Sequence, residues 1–229
     1  MVAASGLPVL PGRRVTGHRV VNSKFPPIAI FDDVASPEDF AAIYEIQALT
    51  NPRLRNLAGD LSLISQREIP FGIPGCSYAV APFTHVNPDG SRFSDGSFGV
   101  LYVADEASTA LDEVAYHQGQ YWGRVPELHF DRIVLRGLTC TFDQGGLADG
   151  LVLDAADPIY ASDSYAASRP LGSALRAQGS PGLRYRSVRA PGASCWALFT
   201  PKPVESVVQT RHYEMIWNGA VSSLHRITA

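Results

Sequence analysis

From Tyr78 onward the chain shows short apolar runs separated by Gly, Asn, Asp and Pro. That is the spacing of strands and turns rather than of long helices. The runs predict strands at 77–83, 98–104, 132–142, 183–188, 195–199 and 204–212. Two stretches with helical spacing interrupt them. The first, 109–118, follows Ser108 as its cap and offers Ala110, Val114 and His117, or Leu111 and Val114, as buried rows. The second, 165–177, follows the capping candidates Ser162 and Asp163 and closes at Gly179. Pro170 inside it predicts a kink or a late start.

Before Tyr78 the pattern is weaker. Residues 1–25 are rich in Gly, Pro and small side chains with no sustained period, so no regular structure is assigned to them. Residues 28–31 suit a short strand. Ser36-Pro37-Glu38-Asp39 then opens a helix with a cap, a proline at its first position and acids in the first turn. Phe40, Ile43, Tyr44 and Gln47 share one side of it. The helix should stop before Asn51-Pro52, since a residue preceding proline avoids the helical region. Separated helices among several short strands point to the α+β class rather than a doubly wound parallel sheet. The division expected is an N-terminal extension with one helix, 1–79, and a catalytic domain, 80–229.

Composition narrows the function classes. The chain has 229 residues, of which 45% are hydrophobic and 18% charged, sufficient for a packed core. A net charge of -3 gives no overall footprint for a nucleic-acid backbone, so direct nucleic-acid binding is not expected. Arg184, Arg186 and Arg189 form a local cluster that suits either a small anion such as a diphosphate or a solvated strand face. Cys76, Cys140 and Cys195 are odd in number and widely spaced, without C-x-x-C, so they read as buried small hydrophobes rather than disulfides or zinc ligands. Residues 1–14 lack an unbroken apolar core for a signal peptide, and no stretch of about 18 apolar residues occurs. The expected compartment is the cytoplasm, away from a membrane. Neither G-x-G-x-x-G after a strand nor G-x-x-x-x-G-K is present, which argues against a Rossmann site or a P-loop.

The densest polar arrangement is Ser91-Arg92-Phe93-Ser94-Asp95-Gly96-Ser97-Phe98-Gly99, followed by the stretch VLYVAD at 100–105 and STALDEV at 108–114. A later stretch, GLRYRSVRAPGASCWALFTPKPV at 182–204, places Ser187 before Val-Arg and a glycine turn. Together these resemble the RES domain, named for an arginine, a glutamate and a serine, over roughly residues 80 to 215. By position, Arg92 matches the family arginine, Tyr102 the strand tyrosine, Glu113 the helix glutamate and Ser187 the serine. The resemblance implies an ADP-ribosyltransferase-like split mixed sheet with flanking helices, binding NAD in a cleft between its two halves. It also implies a toxin whose active site is covered by an antitoxin protein.

The implied reaction breaks the nicotinamide–ribose bond of NAD, which is a substrate, and no metal is expected. An oxocarbenium-like sugar develops positive charge, which a carboxylate such as Glu113 stabilises. Arg92 offers a planar fork for diphosphate oxygens, Tyr102 a face for nicotinamide and a hydroxyl, and Ser187 a short hydrogen bond. NAD binding is thus carried over to Arg92, Tyr102 and Ser187. Taken singly each has an ordinary alternative: a surface arginine, a half-buried strand aromatic, a solvated helix glutamate, a serine bonded to backbone. Their joint order carries the reading. His117 shares a helix face with Glu113 and reads as a supporting rather than metal-binding residue, whereas 211–214 reads as a strand end bordering the cleft. The expected acceptor of ADP-ribose is a protein, with the N-terminal extension as a docking surface, and the alternative is phosphate or water. For a protein acceptor the family offers phosphoribosyl pyrophosphate synthetase as precedent.

Overall fold

The computed structural model describes residues 6–24, 31–32, 34, 36–50 and 58–227. Eight strands form a single mixed sheet: β1 (Arg14–Asn22), β2 (Leu101–Ala104), β3 (Asp131–Asp143), β4 (Ala148–Asp149), β5 (Gly182–Arg186), β6 (Ser194–Leu198), β7 (Val204–Trp217) and β8 (Val221–Arg226). Among the described residues they are accompanied by the helices α1 (Pro37–Thr50), α2 (Cys76–Thr84), α3 (Ala107–Trp122) and α4 (Ser168–Ala177). The class is α+β. The strand order is β4-β5-β6-β2-β1-β3-β7-β8, and only β4 and β5 run parallel.

The sheet has a narrow waist. β1 pairs with β3 along nine registered positions, yet it meets β2 only at His18 and Ala104. Gly17 makes that crossing possible, because a Cβ there would sit 2.4 Å from Val103 Cγ1 and 2.8 Å from the Ala104 carbonyl. Short strands β4-β5-β6-β2 lie on one side of the waist and the longer β1-β3-β7-β8 on the other. Each face carries its own core, because strand side chains alternate. One face buries Ala104, Leu135, Leu183, Tyr185, Cys195 and Ala197 with Ala110 and Trp122 of α3 and Leu171 and Leu175 of α4. The other buries Leu101, Val103, Leu138, Cys140, Trp196 and Leu198 with Phe40 of α1 and Cys76, Ala79, Val80 and Phe83 of α2.

Four expectations need correction. Residues 14–22, expected to lack regular structure, form β1, which runs through the middle of the sheet. Its polar residues conceal this, but pairing along its length with β3 satisfies backbone groups on that edge. The segment 77–83 is helical, not extended. Cys76, Ala79, Val80 and Phe83 recur at helical spacing on its buried side, and Gly75, with φ +72°, turns the chain into it. A continuous apolar run of that length does not distinguish a buried helix from a buried strand. Ser108 is not a cap, since α3 starts at Ala107; Asp105 anchors that start, accepting from the Glu106 amide at 2.8 Å and the Thr109 hydroxyl at 2.9 Å. The last long strand extends past residue 212 to Trp217, with register shifts in its pairing to β3.

Elsewhere the pattern matches. In α1, Ser36 Oγ accepts from the Asp39 amide at 3.1 Å and donates to its carboxylate at 2.8 Å, and Phe40 is buried. The Gln47 side chain and residues 28–30 lie outside the described set. α4 starts late, at Ser168, two residues before Pro170. It closes with Gly179 at φ +79° and the Ser180 amide on the Leu175 carbonyl, a Schellman-type end. The three cysteines are free and buried. Among the described residues no helix is long and apolar enough to cross a membrane.

Candidate functional site

The loop before β2, the helix after it and the turn after β5 all reach the face of the sheet that carries α3 and α4. Glu113 lies on α3, half-buried, and Ser187 follows β5, buried. Although 74 residues apart, they meet: Ser187 Oγ donates to Glu113 Oε1 at 2.8 Å. The same oxygen accepts from the Arg189 and Ala190 amides, each at 3.1 Å. These bonds fix the turn and aim the hydroxyl hydrogen at the carboxylate. No ion pair involves Glu113 among the described residues.

Arg92 and Tyr102 form the second pair. The Arg92 guanidinium is buried, donates through one nitrogen to the Ile159 carbonyl at 3.1 Å and the Ala161 carbonyl at 3.0 Å, and stands over the Tyr165 ring at 4.9 Å. It too has no carboxylate partner among the described residues. Tyr102 accepts from the Phe93 amide at 3.0 Å and shares a 2.8 Å hydrogen bond with Ser91, so its hydroxyl holds the loop that carries Arg92. Burial pushes the Tyr102 phenol up to about 12, against the opposing effect of the Ser91 hydrogen bond, and the hydroxyl therefore stays protonated.

The two pairs do not hydrogen-bond to each other. Tyr185 of β5, two residues before Ser187, packs against the second pair: its ring makes edge contacts with Phe93 and Tyr102, at 4.8 and 6.5 Å. Burial first, then Cys195, Tyr102 and Glu113, raise its phenol well above the ordinary value, while Arg92 opposes them. The His117 imidazole, on an exposed residue, is held below its ordinary value chiefly by loss of solvation, with Arg189 and Arg92 adding to the fall and Glu113 opposing it. Both rings thus sense Arg92 and Glu113 at once.

Three residues escaped sequence reasoning. Tyr165 and Tyr185 have no motif; only their neighbours in space give them a place. Tyr116 lies under the Arg189 guanidinium, 3.2 Å from ring centroid to carbon, and donates to Asp163 at 3.1 Å. The arginine cluster divides. Arg184 makes a two-point pair with Asp149 at 2.7 and 3.0 Å, and Arg186 donates to the Leu151 and Leu153 carbonyls, so both hold the chain together. Arg189 alone borders the site. The segment 211–214 does not border it. It lies within β7, on the far side of the waist, where Glu214 pairs with Arg132 and with His225 at 3.4 Å. Ser162 and Asp163 help wall the site rather than capping α4. Among the described residues no group of three or more His, Cys, Asp or Glu is placed to hold a metal ion.

The sequence model of the RES domain matches residues 69–218, well over half of the chain. The protein belongs to the RES-domain family. A relative, the protein y4oC of Sinorhizobium fredii, is 30% identical over 210 residues, covering 90% of this chain and 85% of that protein. A solved chain from the M. tuberculosis MbcT-MbcA toxin-antitoxin complex shares 17% identity, with 54% of this chain and 73% of that chain covered and a TM-score of 0.37. The RES-domain match includes Arg92, Tyr102, Glu113 and Ser187 and leaves out β1.

Proposed function

We propose that this RES-domain protein is a toxin that cleaves the nicotinamide–ribose bond of NAD and transfers ADP-ribose to a protein acceptor. The observation that carries the reading is the Ser187–Glu113 hydrogen bond, which joins two distant family positions and orients a carboxylate that has no ion-pair partner among the described residues. Such a carboxylate suits a sugar that acquires positive charge as a neutral base departs. Arg92, likewise without a carboxylate partner among the described residues, supplies positive charge for the diphosphate. Its anchoring on two loop carbonyls preorganises it, so less ordering is required when substrate binds. Tyr102 and Tyr165 offer aromatic faces near that guanidinium.

In this proposal residues 80–229 provide all four site residues, and 1–79 supply β1, α1 and the first turn of α2 as their support and as a surface for the acceptor. An antitoxin covering the site restrains the activity, and the site needs NAD but no metal. Incubating purified protein with NAD labelled in the ADP-ribose portion and with cell extract tests the reading. Label retained on a protein band supports transfer. Label found only in free ADP-ribose or its phosphate ester rejects transfer in favour of water or phosphate as acceptor, and intact NAD rejects cleavage altogether. Glu113→Gln should lower NAD loss by about 10²-fold, the usual effect of removing one electrostatic stabiliser.

A further inference from the structure

The loop that carries Arg92 is held by the Tyr102 hydroxyl and also by a second arginine, Arg169, in the first turn of α4. The Arg169 guanidinium donates through Nε to the Ser91 carbonyl at 3.1 Å and through Nη2 to the Asp89 carbonyl at 2.6 Å. The first of these carbonyls belongs to the peptide unit that joins Ser91 to Arg92. Gly90, with φ +78°, gives the guanidinium room, since a Cβ there would stand 3.0 Å from Arg169 Nη2. The next carbonyl facing α4, that of Phe93, abuts Gly172 one turn further along the helix. A second connection runs through Tyr165, whose backbone carbonyl accepts from the Arg169 amide at 3.0 Å. The two side chains are thus four residues apart on one side of the helix start. The Arg169 guanidinium lies 5.5 Å from the centre of the Tyr165 ring and the Arg92 guanidinium 4.9 Å, so one ring carries both cations.

We propose that Arg169 is a positioning residue: by fixing the peptide before Arg92 and the ring beside it, it sets where the Arg92 guanidinium stands for the diphosphate of a dinucleotide. The inference rests on Arg92 as the diphosphate contact, which is part of the function proposed above. Two nitrogens of one rigid plane grip the two carbonyls, and the single nitrogen of a lysine cannot copy that grip. Arg169 need not touch the substrate. Its effect passes through Arg92, and losing it costs the preorganisation of that contact, hence binding, rather than the bond-breaking step at Glu113.

Hydrogen exchange of the full chain without ligand gives the first test. The amides of Gly90, Ser91 and Phe93 are bonded to the Asn87 carbonyl, the Ser94 carbonyl and the Tyr102 hydroxyl. In Arg169→Ala they should exchange at least about tenfold faster, with the amides of α3 unchanged. Equal exchange overturns the proposal, whatever the protein does with NAD. For the second test ADP-ribose, which carries the diphosphate but no nicotinamide bond to break, is titrated by calorimetry. Arg169→Ala should weaken its binding about tenfold and Arg169→Lys about threefold. In an Arg92→Lys background, where a flexible point charge replaces the fork, Arg169→Ala should cost less than about twofold. Equal losses in both backgrounds, or unchanged affinity in folded Arg169→Ala, also overturn the proposal. Failure of the wild type to bind ADP-ribose rejects the diphosphate role of Arg92 instead, and hydrogen exchange then decides the position of its loop. Circular dichroism establishes folding, and Arg169→Lys decides both measurements if Arg169→Ala is unfolded.

Discussion

Replacing Gly172 with alanine sets two physical effects against each other. Within a helix, alanine is favoured over glycine by about 1 kcal/mol, so propensity alone predicts a more stable protein. Gly172, however, lies on the side of α4 pressed against the Arg92 loop. A Cβ there would come 2.0 Å from the Phe93 carbonyl oxygen and 2.8 Å from both its carbonyl carbon and its Cβ. Two of these three atoms are backbone, so no rotamer change relieves the contact, and the cost belongs at the upper end of overpacking, about 3 kcal/mol. The net is a loss of about 2 kcal/mol. For a chain of this length that corresponds to a fall in Tm of about 4–8 °C. Gly119 of α3 provides the control, because its nearest neighbour to an added Cβ is Val221 Cγ2 at 3.4 Å. Gly119→Ala should therefore gain about 0.5–1 kcal/mol. Urea and thermal denaturation of both variants, followed by circular dichroism, measure the difference. Equal or greater stability of Gly172→Ala relative to wild type would refute the argument that backbone contact with Phe93 fixes the position of α4.

Other expectations follow from the same geometry. Ser187→Ala should cost about 1 kcal/mol through its lost hydrogen bonds and reduce NAD turnover more than NAD affinity, a kcat against KM split read from steady-state kinetics. The His117 imidazole should titrate below 6.5 by NMR; Glu113→Gln should lower the midpoint further and Arg189→Ala should raise it, and unchanged midpoints would separate these groups from the ring. Because its folded value is depressed, the His117 contribution to stability is complete above the unfolded value and declines as pH falls through it. Cys76, Cys140 and Cys195, each pushed up to about 12 chiefly by burial, should resist a thiol reagent at pH 8 in the folded protein and all react in denaturant. Rapid labelling of any one of them under native conditions would contradict the packing described.

What was legible in the sequence was local. The Ser36–Asp39 cap, the late start forced by Pro170 and the Gly179 end of α4 each depend on a few neighbouring residues, and the structure has them. The order of Arg92, Tyr102, Glu113 and Ser187 was likewise visible. The 2.8 Å meeting of Ser187 with Glu113 was not, because no local rule brings residues 74 apart into contact. β1 was hidden for a related reason: Arg14, Thr16, Gly17 and Arg19 break its apolar alternation, and its identity as a strand comes from β3 on one edge and β2 on the other. The run 77–83 carried its helical spacing openly, but unbroken hydrophobicity obscured it. Arg184 and Arg186 showed their charge but not their partners, which lie about 35 residues upstream.

The strand threaded through the waist has a consequence for how the molecule is made. β1 is made before both of its neighbours: Thr139, the residue opposite His18 on one side, and Ala104 on the other are synthesised roughly a hundred residues later. Until then its backbone has no cross-strand company, and closing such long loops slows folding. A strand made before both of its partners is therefore among the last to be seated, and a recombinant fragment started at residue 69 would leave two raw strand edges facing each other across an empty slot, inviting self-association.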